Sequence, residues 1–439
     1  MSDGHAAPAA RLGPFLLAGS VSARNAATLL FASFSTIGLV TFLNFANPYL
    51  FNVLDIAVER QGALAGVLVS LQEGVQILLG GLVGAASDRI GRRPIFIGGM
   101  LWMAAGFAVY PLAGSEAALV ALRVFYSVGQ TAATVMLSTC IAEYIDERMR
   151  GRWMGAVGVC NGLGVVLMAT AFARLPLVFS RMGLDDVAAL RASFWVFTLY
   201  VALLAALLRW GLQAPALTSR TRAGVLRLAA QGLSIARENP RIALGYLSAF
   251  ASRGDLVIIT TFITLWVVQA GVAAGMSIGA ATARAGMVFG IAQGVALLWS
   301  FAMGVILDRV ARLTGVCLAF GLAAFGYLLL GTVDDPLGRG MILAAVVAGL
   351  GEASAVVSAG VLIGQEAPPA VRGTVIGTFG LAGSVGMICL TFAGGRIFDS
   401  VGPGAPFVMM GSVNLLVFVA ALVVRRLPVR AAASGAGNA

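Results

Sequence analysis

The chain is written as long apolar runs separated by short polar breaks, and the runs form a regular series. A helix crossing a hydrocarbon core of roughly 30 Å needs about 20 apolar residues. Runs of that order recur over 26–54, 61–86, 94–113, 116–144, 153–176, 191–210, 241–269, 285–307, 313–331, 339–365, 373–395 and 404–424. The pattern predicts twelve spanning helices, numbered here as spans 1 to 12. The longest runs imply tilt. Pro48 in "NFANPYL" removes a backbone hydrogen bond and is expected to bend span 1.

One stretch breaks the series. "GLQAPALTSRTRAGVLRLAAQGLSIARENP" at 211–240 carries Arg220, Arg222, Arg227 and Arg237 and divides the spans into two sets of six. The predicted organisation is a tail at 1–25, a six-helix bundle at 26–210, a linker at 211–240, a second bundle at 241–424 and a tail at 425–439. Within the linker, "VLRLAAQGLSIA" has the spacing of an amphipathic helix on a membrane surface.

The two sets are related. "GAASDRIGR" at 84–92 corresponds to "GVILDRVAR" at 304–312, an offset of 220. "VGQTAATVMLSTCIAEYIDERMRG" at 128–151 corresponds to "LGEASAVVSAGVLIGQEAPPAVRG" at 350–373, an offset of 222. Two separate landmarks with nearly equal offsets indicate a parallel repeat. Such a pair of halves suits a rocker with a solute site at the midplane between them. The expected fold is all-α, with twelve transmembrane helices in two pseudo-symmetric six-helix bundles.

Composition agrees with a lipid solvent. Hydrophobic residues make up 59% of the chain, charged residues only 11%, and the mean hydropathy is +0.94. All 29 basic residues are arginine, and they sit between the apolar runs without a dense basic, aromatic-rich face, so nucleic acid is not an expected partner. With the N-terminus inside, 20 of the 29 arginines fall on the cytoplasmic side and 7 outside. By the positive-inside rule both termini are cytoplasmic. Cys140, Cys160, Cys317 and Cys389 are far apart and show no metal or disulfide spacing, and the single histidine, His5, lies in the tail. No metal or cofactor is expected. There is no GxxxxGK[ST] loop and no lysine to complete one, which disfavours an ATP-driven pump. No catalytic constellation appears, so no enzyme activity is expected.

Charge is concentrated in "GAASDRIGRRP" at 84–94. Gly84, Asp88, Arg89, Gly91, Arg92 and Arg93 resemble the signature loop between helices 2 and 3 of the major facilitator superfamily. Gly304, Asp308, Arg309 and Arg312 resemble its degenerate second copy, and Arg123 and Gly129 in "LRVFYSVGQ" resemble the helix-4 motif of proton-driven members. The resemblance covers roughly 25–425. It implies alternating access by a secondary transporter, here in a bacterial inner membrane and as a monomer. It further implies a cytoplasmic latch. Asp88 would meet the start of span 11 near Gly373, Asp308 would meet the start of span 5 near Gly151, and Arg92 would reach an acid at the end of span 4, with Asp146 the expected partner. Topology alone needs the arginines but not Asp88 or the glycines.

Ionisable residues at bilayer depth are costly, so each is a functional candidate. Glu73, Arg123, Asp255 and Glu352 are candidates for proton coupling, and Arg253 joins them as a charge at depth. Arg123, Ser127, Gln130, Thr134 and Ser138 recur at helical spacing and form one polar face, suited to a wet cavity. Through the repeat, Glu73 matches Gln293 and Gln130 matches Glu352. Arg253 and Asp255 in "SRGDL" are two apart, so they either have separate partners or turn inward together at a helix loosened by Gly254. Asn44, Gln76, Gln130, Thr134, Arg253 and Trp266 are the candidates for contacting the solute. In span 5, Gly158 and Gly162 are spaced for close helix approach.

The expected function is export of a small organic solute by proton antiport. The alternative is proton-coupled uptake of an organic anion held by Arg123 and Arg253. A membrane sensor that keeps the fold without transport is a third reading, and the retained charged loop argues against it.

Overall fold

A computed structural model describes residues 11–18, 21–213 and 225–427. The expected tail residues 1–10, the linker segment 214–224 and the last residues 428–439 lie outside the described residues. The chain is helical nearly throughout. In order, the helices are α1 (Ala23–Val53), α2 (Val58–Ile90), α3 (Arg92–Val109), α4 (Glu116–Glu143), α5 (Arg150–Thr170), α6 (Leu175–Arg181), α7 (Asp186–Gly211), α8 (Val225–Glu238), α9 (Pro240–Ala273), α10 (Ile278–Arg309), α11 (Arg312–Gly331), α12 (Arg339–Glu366), α13 (Arg372–Ser400) and α14 (Ala405–Arg426). A short hairpin, β1 (Arg11–Leu12) and β2 (Phe15–Leu16), precedes them. Among the described residues, twelve helices are long and apolar enough to cross a membrane. The long helices α7 and α9 to α14 therefore correspond to spans 6 to 12, and the short α8 lies in the linker.

Local chemistry starts and stops these helices. Ser22 and Asn25 form a capping box on α1, and Ser115, Asp185 and Ser277 cap α4, α7 and α10. Pro240 sits in the first turn of α9 behind the Asn239 cap. Gly91, at φ +98°, takes the left-handed conformation that lets α2 end and α3 begin without a loop. Pro48 lies inside an uninterrupted α1, where Asn52 Nδ2 donates to the Pro48 carbonyl at 2.7 Å.

Small residues set the helix contacts within each half. A Cβ on Gly129 of α4 would meet the Met103 backbone of α3 at 2.7 Å. The repeat-related Gly351 of α12 is held equally close to the Ala323 backbone of α11. Gly164 of α5 abuts the Phe34 carbonyl of α1. Of the span 5 pair, Gly162 meets Leu297 of α10, whereas Gly158 faces open space, so close approach in α5 runs through Gly162 and Gly164.

The halves meet through two repeat-related pairs, α2 with α13 and α5 with α10. Both contacts are tight at the helix ends opposite the linker. Gly66 lies against the Thr391 carbonyl, Gly395 against the Gly62 carbonyl, and Gly286 against the Ala169 carbonyl. Outward faces carry large apolar side chains such as Leu78, Leu203, Trp210 and Leu298, as a lipid-facing surface requires.

Two segments outside the bundles are docked on them. The helix expected in the linker is α8, and it packs on the start of α13, where Thr378 Oγ1 donates to the Leu228 carbonyl at 3.2 Å. The hairpin is strapped to the turn after α4. Ala18 N donates to Tyr144 O at 3.1 Å, and Phe15 meets Trp153 edge-on with centroids 5.4 Å apart. Residues 11–18 of the expected tail are therefore packed on the first half as a strap.

Replacing Gly164 by leucine is expected to destabilise the first half by about 1–3 kcal/mol, the range for an overpacked helix contact. A lowered unfolding temperature of the purified protein in detergent is the measurement, and an unchanged value would refute the contact.

Candidate functional site

A cavity of about 630 Å³ lies between the halves. It extends from Asn44 and Gln130 at mid-span to Gly81, Ser138 and Gly377 near the linker-side helix ends, where Val225 and Leu228 of α8 form part of its mouth. Asn44, Glu73, Gln76, Gln130, Thr134 and Arg253 all line it. Sequence spacing brings them there because each lies on the inward face of its helix. In α4, Thr134 and Ser138 bond back to carbonyls of their own helix at 2.9 Å each. The carboxamides Asn44, Gln72, Gln76, Gln130 and Gln293 line the cavity beside Glu73 and Arg253.

Three of the charged candidates stand behind this wall. Arg123 is fully buried and donates to Asn44 Oδ1, while its Nε and Nη1 have no hydrogen-bond partner. Glu352, also buried, accepts from Gln293 Nε2 at 3.0 Å. Asp255 is fully buried and accepts from Asn414 Nδ2 at 2.7 Å, while Tyr327 donates to the Asp255 backbone carbonyl at 2.8 Å. No basic side chain pairs with Asp255 or Glu352 among the described residues. Because α9 runs unbroken through Gly254, Arg253 and Asp255 diverge, one into the cavity and the other into the second half's core. The two residues therefore do not turn inward together at a loosened helix.

Trp266 does not belong to the cavity wall. It is nearly buried and stacks on Phe407 with centroids 6.0 Å apart, so its apolar face is used for helix packing. This corrects its place among the solute-contact candidates.

The charged loop is organised within each half. Arg92 pairs with Asp88 at 2.8 Å and with Glu143 at 2.9 Å. Asp146, the expected partner, instead accepts from Arg148 N at 2.9 Å, and its own N–H bonds Leu16 O. The reason is positional. Glu143 is the last residue of α4 and stays on the helix, whereas Asp146 lies beyond it in the turn held by the hairpin. The second half repeats the pairing, with Arg312 on Glu366 at 3.2 Å and Arg241 on the same carboxylate at 3.2 Å. Gly84 is buried, while Arg89, Asp308 and Arg309 are exposed. A Cβ added to Gly151 or Gly373 would meet nothing within 4 Å.

The opposite end is closed by residues that sequence reasoning passed over. Asp399, at the end of α13, accepts from the backbone N–H groups of Gly62 and Ala63 near the start of α2, at 2.9 and 2.7 Å. Gln269 of α9 donates to Gln61 Oε1 at 3.1 Å. A lone aspartate at a helix end reads as solvated from sequence. Only the glycines opposite it, Gly62 and Gly66, carried a signal. Among the described residues no group of three or more His, Cys, Asp or Glu side chains is placed to hold a metal.

Fold and cavity are those of a membrane transporter built from two six-helix halves. A family model described as Major Facilitator Superfamily matches residues 29–339, and the chain belongs to that superfamily. It is a transporter rather than an enzyme. The chain is 29% identical to magnetosome protein MamH of Paramagnetospirillum magneticum over 89% of each protein. It is 28% identical to magnetosome protein MamZ of Magnetospirillum gryphiswaldense over 83% of this chain, spanning 56% of that longer protein. The crystal structure of the nucleoside transporter NupG has the same fold, with a TM-score of 0.72 at 14% identity over 92% of this chain and 100% of that one.

Asn414→Leu removes the donor to a buried carboxyl and is expected to cost roughly 1–3 kcal/mol. The exchanged pair, Asp255→Asn with Asn414→Asp, restores a carboxyl–carboxamide bond and should recover most of the lost unfolding temperature. A double variant no better than Asn414→Leu would show that the bond does not carry the effect.

Proposed function

We propose that this protein exports a small organic solute across the bacterial inner membrane in exchange for protons, by alternating access of the interface cavity. The observation that carries the reading is the cavity itself, which extends to the linker-side helix ends and is closed at the other end by α2 against α13. Arginine placement supports assigning the linker side, and both termini, to the cytoplasm. The arrangement is thus an inward-facing state of a monomeric rocker. Asp399 on the start of α2 is, at the outer gate, the counterpart of the latch that the signature loop implies for Asp88. A carboxylate aimed at exposed N–H groups near a helix start is a charge–dipole contact that separation of the helices removes.

Glu73 is the proposed exchange site. It lines the cavity, is 5% exposed, and its Oε2 has no hydrogen-bond partner. A proton and a cationic solute group compete for the same oxygen, and that exclusion couples their movements in opposite directions. Arg123, Asp255 and Glu352, set behind carboxamides, tune the field in which Glu73 exchanges. The second reading, proton-coupled uptake of an organic anion, draws on Arg253, which lines the cavity without a carboxylate partner among the described residues.

The test is transport in proteoliposomes under an imposed pH gradient, with radiolabelled amino acids, nucleosides, sugars and organic anions. Solute movement opposite to protons supports export, and movement with them supports uptake. No gradient-dependent movement of any solute would reject both. Glu73→Gln is expected to lower gradient-driven transport at least tenfold, with the remaining solute movement no longer responding to the imposed pH gradient, and movement that still follows the gradient would remove Glu73 from the coupling role. Asp399→Ala should release the outer gate. Spin labels at Ala63 and Thr391 report it, and an unchanged distance distribution would contradict the gating role.

A further inference from the structure

The chemistry of the cavity narrows the solute class, on the footing that this cavity is the transport site. Glu73 on α2 and Arg253 on α9 come from opposite halves and line the same cavity. They lie within Coulombic reach of each other, yet form no ion pair within 4.0 Å. Arg253 makes no hydrogen bond or ion pair to another described residue and keeps an accessible side chain at mid-helix, with only its alkyl stem against Gly383. Glu73 is nearly buried and leaves Oε2 unsatisfied. Arg253 thus presents an accessible charge to the cavity, and Glu73 lines the same cavity with an enclosed, unpaired oxygen.

A lone anion on Arg253 would leave the Glu73 oxygen unpaired in a low-dielectric site, and a lone cation on Glu73 would leave the guanidinium unpaired. Leaving one buried partner unsatisfied is the costly outcome. The cavity wall is largely aliphatic, with Ile37, Val69, Leu256 and Met387 among its residues, and Asn44, Gln76, Gln130 and Gln293 set donors and acceptors into it. Phe289 is the single aromatic among the residues lining it. Pockets for flat lipophilic cations rely on aromatic faces, which this wall scarcely offers, so the opposed charges of Glu73 and Arg253 are its distinguishing chemistry.

We propose that the solute is a zwitterion of amino-acid or short-peptide type, its carboxylate bound by Arg253 and its ammonium by Glu73, so that one molecule bridges the two halves. A guanidinium takes a carboxylate in two parallel hydrogen bonds, which fixes the solute's direction as well as its charge. Bridging also gives the solute different contacts when the halves are near and far, which any ligand that shifts a two-state equilibrium must have.

The test uses the purified full-length chain in detergent, with the twenty common amino acids and alanylalanine as probes. Each is compared with its N-acetyl form, which lacks the ammonium, and its C-terminal amide, which lacks the carboxylate. Binding is read as a rise in unfolding temperature and then as a Kd by calorimetry. At least one zwitterion is expected to bind, with both blocked forms weaker by tenfold or more. Glu73→Gln should bring the zwitterion down to the level of its N-acetyl form, and Arg253→Gln to that of its amide. Arg253→Lys keeps the charge and should retain part of the affinity, which separates loss of binding from loss of fold. An N-acetyl form or an amide that binds as tightly as the zwitterion overturns the proposal, as does a panel in which no zwitterion binds. Binding without movement in proteoliposomes would leave the site standing and sink the transport reading. Movement of a nucleoside, sugar or lone anion with no zwitterion bound would do the reverse.

Discussion

The constraint on which this structure depends is the cost of holding charge at bilayer depth. Water is absent there, so an ionised side chain must find polar partners in the protein or face an aqueous cavity. Five such residues are distributed with a definite logic. The first half keeps a cation, Arg123, in its core and an acid, Glu73, at the cavity. The second half keeps two acids, Asp255 and Glu352, in its core and a cation, Arg253, at the cavity. Each buried charge has one carboxamide assigned to it: Asn44 to Arg123, Asn414 to Asp255 and Gln293 to Glu352. A carboxamide is neutral and offers both a donor and an acceptor. It screens a charge of either sign without adding another.

The same constraint shapes the gates differently at the two ends. On the linker side, arginines bind carboxylates within each half, Arg92 on Glu143 and Arg312 on Glu366. Such pairs stiffen each bundle and cost nothing when the halves part. At the opposite end the contact runs between halves and uses backbone. Asp399 binds two N–H groups of α2 where glycines allow the helices to touch. A contact made to backbone N–H groups is broken by translation alone, without changing a rotamer. That suits an element which must open and reclose as a rigid body.

Much of this was legible in the sequence, and the misses share a cause. The twelve spans, the repeat and the inward face of α4 follow from periodicity, which is one-dimensional information. Glu73, Gln130 and Arg253 reach the cavity because a polar residue on an apolar helix has few other places to go. Trp266 failed the same test because an aromatic ring is at home in either setting, and only its neighbour Phe407 decides. Asp146 and Glu143 are three residues apart, and the choice between them turned on where α4 ends and on the hairpin that takes Asp146 aside. Asp399 was invisible because its partners are backbone atoms more than 300 residues away, and backbone leaves no mark in a residue pattern.

The repeat itself bears on the exchange. Glu73 and Gln130 in the first half correspond to Gln293 and Glu352 in the second, so the acid and the amide have traded places. In the second half the pair is closed, with Gln293 bonded to Glu352 and its acid turned away from the cavity. In the first half the acid itself lines the cavity and keeps an unpaired oxygen. Symmetric halves would have presented two equivalent carboxyl groups to the solute, and a proton on one would not have excluded a ligand from the other. With a single acid in the cavity wall, proton and solute address the same atom. Under the proposed mechanism, the asymmetry within the repeat is what makes the two ligands exclusive, and exclusivity favours exchange over joint passage.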